Sequence, residues 1–320
     1  MTRLSSYALT IGVDIGGTKI AMAVVDGDGR IIDKHRVDTP ASDASEIRQA
    51  IAEGVRKLRE KHRVMAVGVA AAGFVDSARS TVLFAPNINW RNEDLKTELE
   101  KELSLPIVVE NDANAAGWAE FQFGGGRHVD NMALLTIGTG LGGALVVDGH
   151  LIRGAYGVAA ELGHLRLVPD GLHCGCGNRG CWEQYASGNA LTREARLLAK
   201  HSPALAGALL EAAGGDADDI TGEIVSAAAR DGDGPASELL ADLGGWLGLG
   251  VAQLATIMDP AVVVIGGGAS AASDFMIPAA MDAYRRNLPA RGQHPELTIN
   301  VAELANDAGV IGAADLARTH

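Results

Sequence analysis

Two glycine-punctuated stretches decide how this chain folds: Asp14-Ile15-Gly16-Gly17-Thr18-Lys19 and Gly138-Thr139-Gly140-Leu141-Gly142-Gly143. Each sits between short apolar runs. Ile11–Val13 precedes the first and Ile20–Val25 follows it, before Gly27-Asp28-Gly29 turns the chain into Ile31–Val37. Met132–Ile137 precedes the second, Ala144–Val147 follows it, and Asp148-Gly149 turns into Leu151-Ile152. Asp-Gly between apolar runs predicts a hairpin. Both stretches therefore open the same series of strand, glycine turn, strand, Asp-Gly-type turn, strand. They lie about one domain length apart, and a repeat at that distance predicts two similar halves.

The second stretch satisfies G-x-G-x-x-G, which raises a dinucleotide-binding fold. That fingerprint needs a helix directly after the glycines, because the helix N-terminus holds the pyrophosphate. Ala144-Leu145-Val146-Val147-Asp148-Gly149 follows instead, a strand and a turn. No Gly-Lys-Ser/Thr occurs anywhere, so a Walker A loop is absent as well. What remains is a pair of glycine hairpins whose backbone N–H groups can cradle phosphates. Two at matching positions of a repeat carry more weight than one.

Further elements follow from periodicity. A helix is predicted from about Ala44 to His62, buried strands at Val64–Ala70 and Ile107–Val109, and a helix near Ala113–Phe123 after Glu110-Asn111-Asp112. Leu240, Leu243, Leu247, Val251, Leu254 and Met258 step by threes and fours, as an amphipathic helix does. Gly244, Gly245, Gly248 and Gly250 lie in that helix, each costing roughly 0.5–1 kcal/mol relative to alanine. Close backbone packing would offset this, which predicts a buried helix lying on a sheet. Asp259-Pro260 ends it, Ala261–Ile265 reads as a strand, and Gly266-Gly267-Gly268 forms a third glycine turn.

Composition narrows the partners. Lys plus Arg number 27 against 40 Asp plus Glu, a net charge of −13, which argues against nucleic acid as a partner. Any phosphate must be held by local backbone dipoles against that field. The longest uncharged stretch, Asn131 to Val147, is broken by glycines and falls short of the ~20 apolar residues of a membrane span. No secretory leader is evident, so no membrane partner is expected and the cytoplasm is the default compartment.

All three cysteines fall in one short window, Cys174, Cys176 and Cys181, unlike the even, dispersed set of a secreted disulfide framework. With His164 they form His164-x9-Cys174-x-Cys176-x4-Cys181, the donor set of a closed tetrahedral Cys3His zinc site, structural rather than catalytic. His173 is an alternative fourth ligand, though it adjoins Cys174. Glu161 and Glu183 flank this element, and a zinc knuckle would hold both carboxylates against one small volume, where they could accept a polar ligand's hydroxyls. Asp14 lies in what reads as a buried strand beside a phosphate turn, a natural outer partner for hydrated Mg2+. Asp112 opens a helix, and its plain reading is an N-cap, a job for which Asn111 competes.

Taken in order, Asp14–Lys19, Glu110-Asn111-Asp112-Ala113-Asn114-Ala115, Gly138–Gly143, Glu161-Leu162-Gly163-His164 and Cys174-Gly175-Cys176-Gly177-Asn178-Arg179-Gly180-Cys181-Trp182-Glu183 resemble the ROK family of sugar kinases. The C-x-C-G-x-x-G-C-x-E element is highly specific, and the likeness spans nearly the whole chain. Phe84-Ala85-Pro86-Asn87-Ile88-Asn89-Trp90 and Cys181–Gly188 bring it nearest to the bacterial ATP-dependent glucokinases of that family.

The resemblance implies an α/β, two-domain actin/hexokinase-like (ribonuclease H-like) fold with its ligand cleft between domains. It assigns residues 1–115 plus 308–320 to a small domain and 116–307 to a large one carrying the zinc motif. Asp112 is then the general base toward the sugar 6-hydroxyl. Asn111, Glu161, His164 and Glu183 hold the ring hydroxyls, with Gly73 and Asn87 as neighbours. Asp14, Gly16, Gly17, Thr18 and Lys19 bind ATP, as do Gly138, Thr139, Gly140, Gly142 and Gly143, while Gly266, Gly267 and Gly268 lie near the adenosine. ATP, Mg2+ and a structural Zn2+ are the implied cofactors, glucose the implied substrate, and a homodimer or homotetramer the implied assembly. Competing specificities are N-acetylglucosamine, N-acetylmannosamine, fructose or allose, with polyphosphate as a disfavoured donor. The sugar-responsive repressors of the family carry a helix-turn-helix domain before the first glycine turn, for which this sequence leaves no room.

Overall fold

The computed structural model describes residues 8–40, 44–85 and 90–319. Its elements begin with β1 (Leu9–Ile15), β2 (Lys19–Val25), β3 (Ile31–Asp38), α1 (Ala44–Arg59), β4 (Val64–Ala71), β5 (Phe74–Val75), β6 (Val82–Ala85) and β7 (Trp90–Glu93). Next come α2 (Leu95–Leu103), β8 (Ile107–Asn111), α3 (Asp112–Phe123), β9 (Met132–Ile137), β10 (Leu141–Val147) and β11 (His150–Leu151). The chain ends with α4 (Gly188–His201), α5 (Gly207–Ala212), α6 (Gly222–Arg230), α7 (Gly234–Met258), β12 (Val262–Gly266), α8 (Ser273–Asn287), β13 (Thr298–Val301) and α9 (Ala308–Leu316).

The repeat predicted from the glycine turns is present strand for strand. Two five-stranded sheets run β3-β2-β1-β4-β8 and β11-β10-β9-β12-β13. β1, β2 and β3 pair antiparallel, whereas β4 and β8 add in parallel. In the second sheet β10 and β11 are antiparallel, and β12 joins β9 and β13 in parallel. This mixed order is the actin/hexokinase-like fold. Asp148 and Gly149 both have positive φ, 50° and 74°, as a type I′ turn between β10 and β11 requires.

The chain forms two compact units, one of Met1–Asp130, Ala144–Ala160 and Glu303–His320, the other of Asn131–Gly143 and Glu161–Ala302. In the first, α1 and α2 cover one side of the sheet through a continuous core that includes Ile11, Val13, Ile51, Val55, Val67, Leu95 and Leu99. α9 lies on the other side, and it approaches β1 and β4 closely. A Cβ on Gly12 would sit 1.7 Å from the Val310 carbonyl oxygen, and one on Gly68 would sit 1.8 Å from that of Ala313. On the face toward α3, a Cβ on Gly312 would meet the Ala115 carbonyl at 1.7 Å.

In the second unit the glycines of α7 admit neighbours of two kinds. Gly244 and Gly248 receive the α8 backbone, where a Cβ would lie 2.3 Å from the Met276 carbonyl and 2.0 Å from that of Ala280. Gly250 receives the ring of Trp182. The close partner of α7 is thus a helix and an indole rather than the sheet alone. α7 is long and apolar enough to cross a membrane by length and composition, but 56% of its most apolar window is buried inside the fold. It is a core helix.

Two alanine substitutions should separate these roles. Gly68→Ala is expected to lower stability by about 1–3 kcal/mol, because neither β4 nor α9 can retreat from its packing. Gly245→Ala meets nothing within 4 Å and should be neutral or stabilise by up to ~1 kcal/mol through helix propensity. Urea unfolding midpoints of the two variants test the contrast.

Candidate active site

In the first unit, β8 runs into α3 at Asn111 and Asp112. Asn111 takes the N-cap: its side-chain oxygen accepts the Asn114 N–H at 3.0 Å. Its Nδ2 donates to the Gly73 carbonyl at 3.1 Å, and Gly73 must be glycine because a Cβ there would lie 2.4 Å from the Phe84 carbonyl. Asp112 is thereby relieved of the capping job and stands at the first helical position. Burial raises its pKa above the usual carboxylate range, opposed by hydrogen bonds from its own and the Ala113 N–H and from the Asn111 side chain.

Asp14 stands in β1, between Ala21 of β2 and Ala70 of β4, and is half-buried there. Its carboxylate reaches over the first turn of α9, where Gly309 makes room: a Cβ there would lie 2.7 Å from Oδ2. Burial and the nearby Asp112 carboxylate raise the Asp14 pKa to about 6. The following turn is closed by Gly16 N–H donating to the Lys19 carbonyl at 3.0 Å, and Thr39 Oγ1 donates to the Gly16 carbonyl at 2.7 Å. Gly17, Thr18 and Lys19 are exposed, and nothing lies within 4 Å of a Cβ on Gly17. The turn presents bare backbone.

In the second unit the corresponding turn is built alike. Gly138 N–H donates to the Gly140 carbonyl at 3.0 Å. The carbonyls of Gly138 and Thr139 accept the N–H groups of Gly188 and Asn189 at 2.8 and 3.3 Å, so the start of α4, capped by Ser187, anchors the turn from behind. Sequence reasoning misses this anchor, although Ser187-Gly188 preceding a helical pattern is its signal. Gly140 is small for Glu183, whose Oε2 would lie 2.9 Å from a Cβ there, and Gly143 is small for Leu162. Gly267 has φ +84° and a Cβ there would lie 2.5 Å from the Ile137 carbonyl. It places the Gly266–Gly268 turn against the end of β9.

The knuckle comes together in the same unit. One donor atom from each of His164, Cys174, Cys176 and Cys181 lies within 4.8 Å of the others. Cys176 and Cys181 Sγ are 3.6 Å apart, and Cys174 Sγ lies 3.7 Å from His164 Nδ1. Ligand separations of about 3.8 Å are what a tetrahedral ion with ~2.3 Å Zn–S bonds requires, so the residues fit zinc. Burial pushes the Cys174 and Cys181 thiols up, a cost that a bound dication would invert. His173 is not in this group; its Nε2 lies 2.5 Å from Arg179 Nη2. Glu183 Oε1 accepts from the Cys174 thiol at 2.9 Å and lies 3.7 Å from His164 Nδ1, whereas Glu161 is exposed at the start of the turn carrying His164. Trp182, fully buried and donating to the Trp246 carbonyl at 2.9 Å, pins this knuckle to α7. Asn87 lies outside the described residues.

A family model described as "ROK family" matches residues 10–320. The chain belongs to the ROK family. It is 50% identical over 310 residues to a glucokinase of Streptomyces coelicolor, covering 97% of this chain and 98% of that one. Its fold matches the crystal structure of a ROK family glucokinase from Streptomyces griseus in complex with glucose and AMPPNP, at a TM-score of 0.87 and 49% identity, over 98% and 100% of the two chains. A ROK hexokinase from Thermus thermophilus matches at 0.81 and 33%, over 97% of each.

Burial and the Asp112 carboxylate, set against the ionised form of Asp14, make a pH-dependent contribution to stability. That form is penalised in the folded chain but not in the unfolded one, where a carboxyl titrates near 3.8. Stability is therefore lost as pH rises from that value through about 6. Asp14→Asn should raise Tm near pH 8 without nucleotide or Mg2+, and the gain should vanish near pH 4. Equal Tm values at the higher pH would show that the carboxylate makes no such contribution.

Proposed function

We propose that this chain is a glucokinase, transferring the γ-phosphoryl group of ATP to the 6-hydroxyl of D-glucose to give glucose 6-phosphate and ADP. The observation that carries this reading is the near-complete, 50% identical match to a Streptomyces glucokinase. The local geometry supports it: a helix-start aspartate freed from capping by its neighbour is available as a base.

Phosphoryl transfer asks the protein for positioning and charge neutralisation more than for covalent chemistry. In this reading the Asp112 carboxylate accepts the 6-hydroxyl proton as that oxygen attacks the γ-phosphorus and the bond to the ADP oxygen breaks. Asn111, Glu161, His164 and Glu183 hold the ring hydroxyls, with Gly73 fixing the Asn111 amide. The backbone at Gly16–Lys19 and Gly138–Gly143 holds the phosphates, and Gly266–Gly268 adjoins the adenosine. Mg2+ bound with ATP would neutralise phosphate charge, and Asp14 is the carboxylate placed to hold its water shell. Zn2+ would be held by Cys174, Cys176, Cys181 and one ring nitrogen of His164 in a structural role, which would leave the other ring nitrogen of His164 for the sugar. A homodimer or homotetramer working in the cytoplasm belongs to the same reading.

Asp112→Asn should fold and bind glucose while kcat falls on the order of 10²–10⁴-fold, the usual contribution of a general base. Steady-state kinetics with glucose and ATP, alongside glucose calorimetry, check this; near-normal turnover removes Asp112 from the mechanism. Purified protein should contain about one zinc per chain, four protein ligands making one closed site. Cys176→Ala should lose the zinc and melt at a lower temperature, as metal analysis and calorimetry would show.

A further inference from the structure

Next to Asp112 the fold buries a second carboxylate that the reaction does not use. Glu110, 1% exposed, ends the buried part of β8 one residue before Asn111. Its two oxygens serve different masters. Oε1 accepts the Asn111 N–H at 3.0 Å and the Asn114 side-chain amide at 3.1 Å. Oε2 accepts from Arg79 Nε at 3.0 Å and lies 2.7 Å from Arg153 Nε. The two arginines arrive on separate segments. Arg79 sits in the turn between β5 and β6 with φ +55°, and its carbonyl accepts the Val109 N–H at 3.0 Å. Arg153 comes from the stretch after β11 and also donates to the carbonyls of Ser77 and Asp76 at 3.0 and 2.7 Å.

Stability alone is a poor account of this cluster. Burying one carboxylate and two guanidinium groups costs desolvation that an apolar replacement would avoid, and such replacements are often neutral or stabilising. Burial and the proximity of the two cations also pull the Arg79 pKa down. What the cluster supplies is direction. Both bonds on Oε1 go to residues flanking Asp112: the backbone of the capping Asn111, and the Asn114 side chain in the first turn of α3. Asn111 in turn supplies one of the hydrogen bonds that hold down the Asp112 pKa.

We propose that Glu110 is a positioning residue for phosphoryl transfer: clamped by Arg79 and Arg153, its carboxylate fixes the Asn111 backbone and the first turn of α3, and through them the orientation of the Asp112 carboxylate. The inference rests on the glucokinase reading with Asp112 as base.

Glu110→Gln keeps the shape and removes the charge, and Arg153→Lys keeps a charge while losing the bonds to Asp76 and Ser77. Both should lower kcat, Glu110→Gln on the order of 10–100-fold, the scale of a misplacement near 1 Å. The KM for glucose should change less than kcat does, the pattern of an interaction felt mainly in the transition state. The acid limb of the kcat/KM–pH profile should move to higher pH in Arg153→Lys, which keeps the local charge, because a misaligned Asp112 loses the hydrogen bonds that favour its ionised form; in Glu110→Gln the loss of a neighbouring negative charge opposes that shift. A merely structural role would lower Tm and the active fraction, read by titration of glucose-binding sites, and leave the Arg153→Lys limb in place; that result overturns the proposal. So does a wild-type kcat in both variants, with an unshifted limb in Arg153→Lys, while Asp112→Asn is inactive. Should Asp112→Asn itself turn over normally, the base assignment falls and this inference falls with it.

Discussion

α9 lies against β1, β4 and α3 at distances that no side chain would permit, and much of the first unit depends on that approach. Gly12, Gly68 and Gly312 each face a backbone carbonyl at less than 2 Å from where a Cβ would be. The helix therefore settles onto the sheet instead of above it, with every residue from Ala308 to Leu316 buried. Its first turn arrives under Asp14, and Gly309 leaves the space that the carboxylate fills. The positive end of a helix favours an anion there, while burial and Asp112 disfavour it. Backbone packing at the chain's end thus sets the environment of a carboxylate near its start.

Two buried carboxylates extend the same logic along β8 and α3. Glu110 gathers Arg79 and Arg153 at the start of α3. Glu120, fully buried near its end, accepts the N–H groups of Gly125, Glu303 and Leu304 at 2.9, 3.1 and 2.8 Å. Arg153 and Glu303 both belong to segments by which the chain returns to the first unit. Each return is thus fastened by a carboxylate at one end of the helix that begins with Asp112. Losing either partner would strand a buried charge or a set of backbone donors, which is far more costly than losing a surface ion pair.

How much of this is legible in the sequence depends on whether the partner is near in the chain. The repeat, its sheets and the Cys3His group announce themselves through local spacing, and the structure returns them with boundaries shifted by a few residues. The competition between Asn111 and Asp112 for the cap is also local, but only φ/ψ and the bond to Asn114 decide it for Asn111. Arg79 and Arg153 look like any surface arginine until the fold brings both to Glu110. Trp182 and Gly250 are equally silent: a tryptophan after a cysteine and a glycine in a helix become one contact only when α7 passes behind the knuckle. Tertiary pairings leave no periodic trace, and a single sequence has nothing else to offer about them.

The glycines show why composition could raise the right question without answering it. The chain has 41 of them, and two physical classes among them look identical as letters. At Gly12, Gly68, Gly244, Gly248 and Gly312 the missing side chain is replaced by another backbone, and the gain is packing. At Gly17 and Gly268 nothing lies within 4 Å of the absent Cβ, so the backbone of the turn is left uncovered. The second class matters most for a chain of net charge −13. A lysine-rich phosphate site would work against that field only by adding cations, whereas peptide dipoles in a bare turn bind an anion without changing the net charge. In the proposed kinase reading, exposed glycine backbone at these turns would let an acidic protein hold a polyanion without a cluster of added cations.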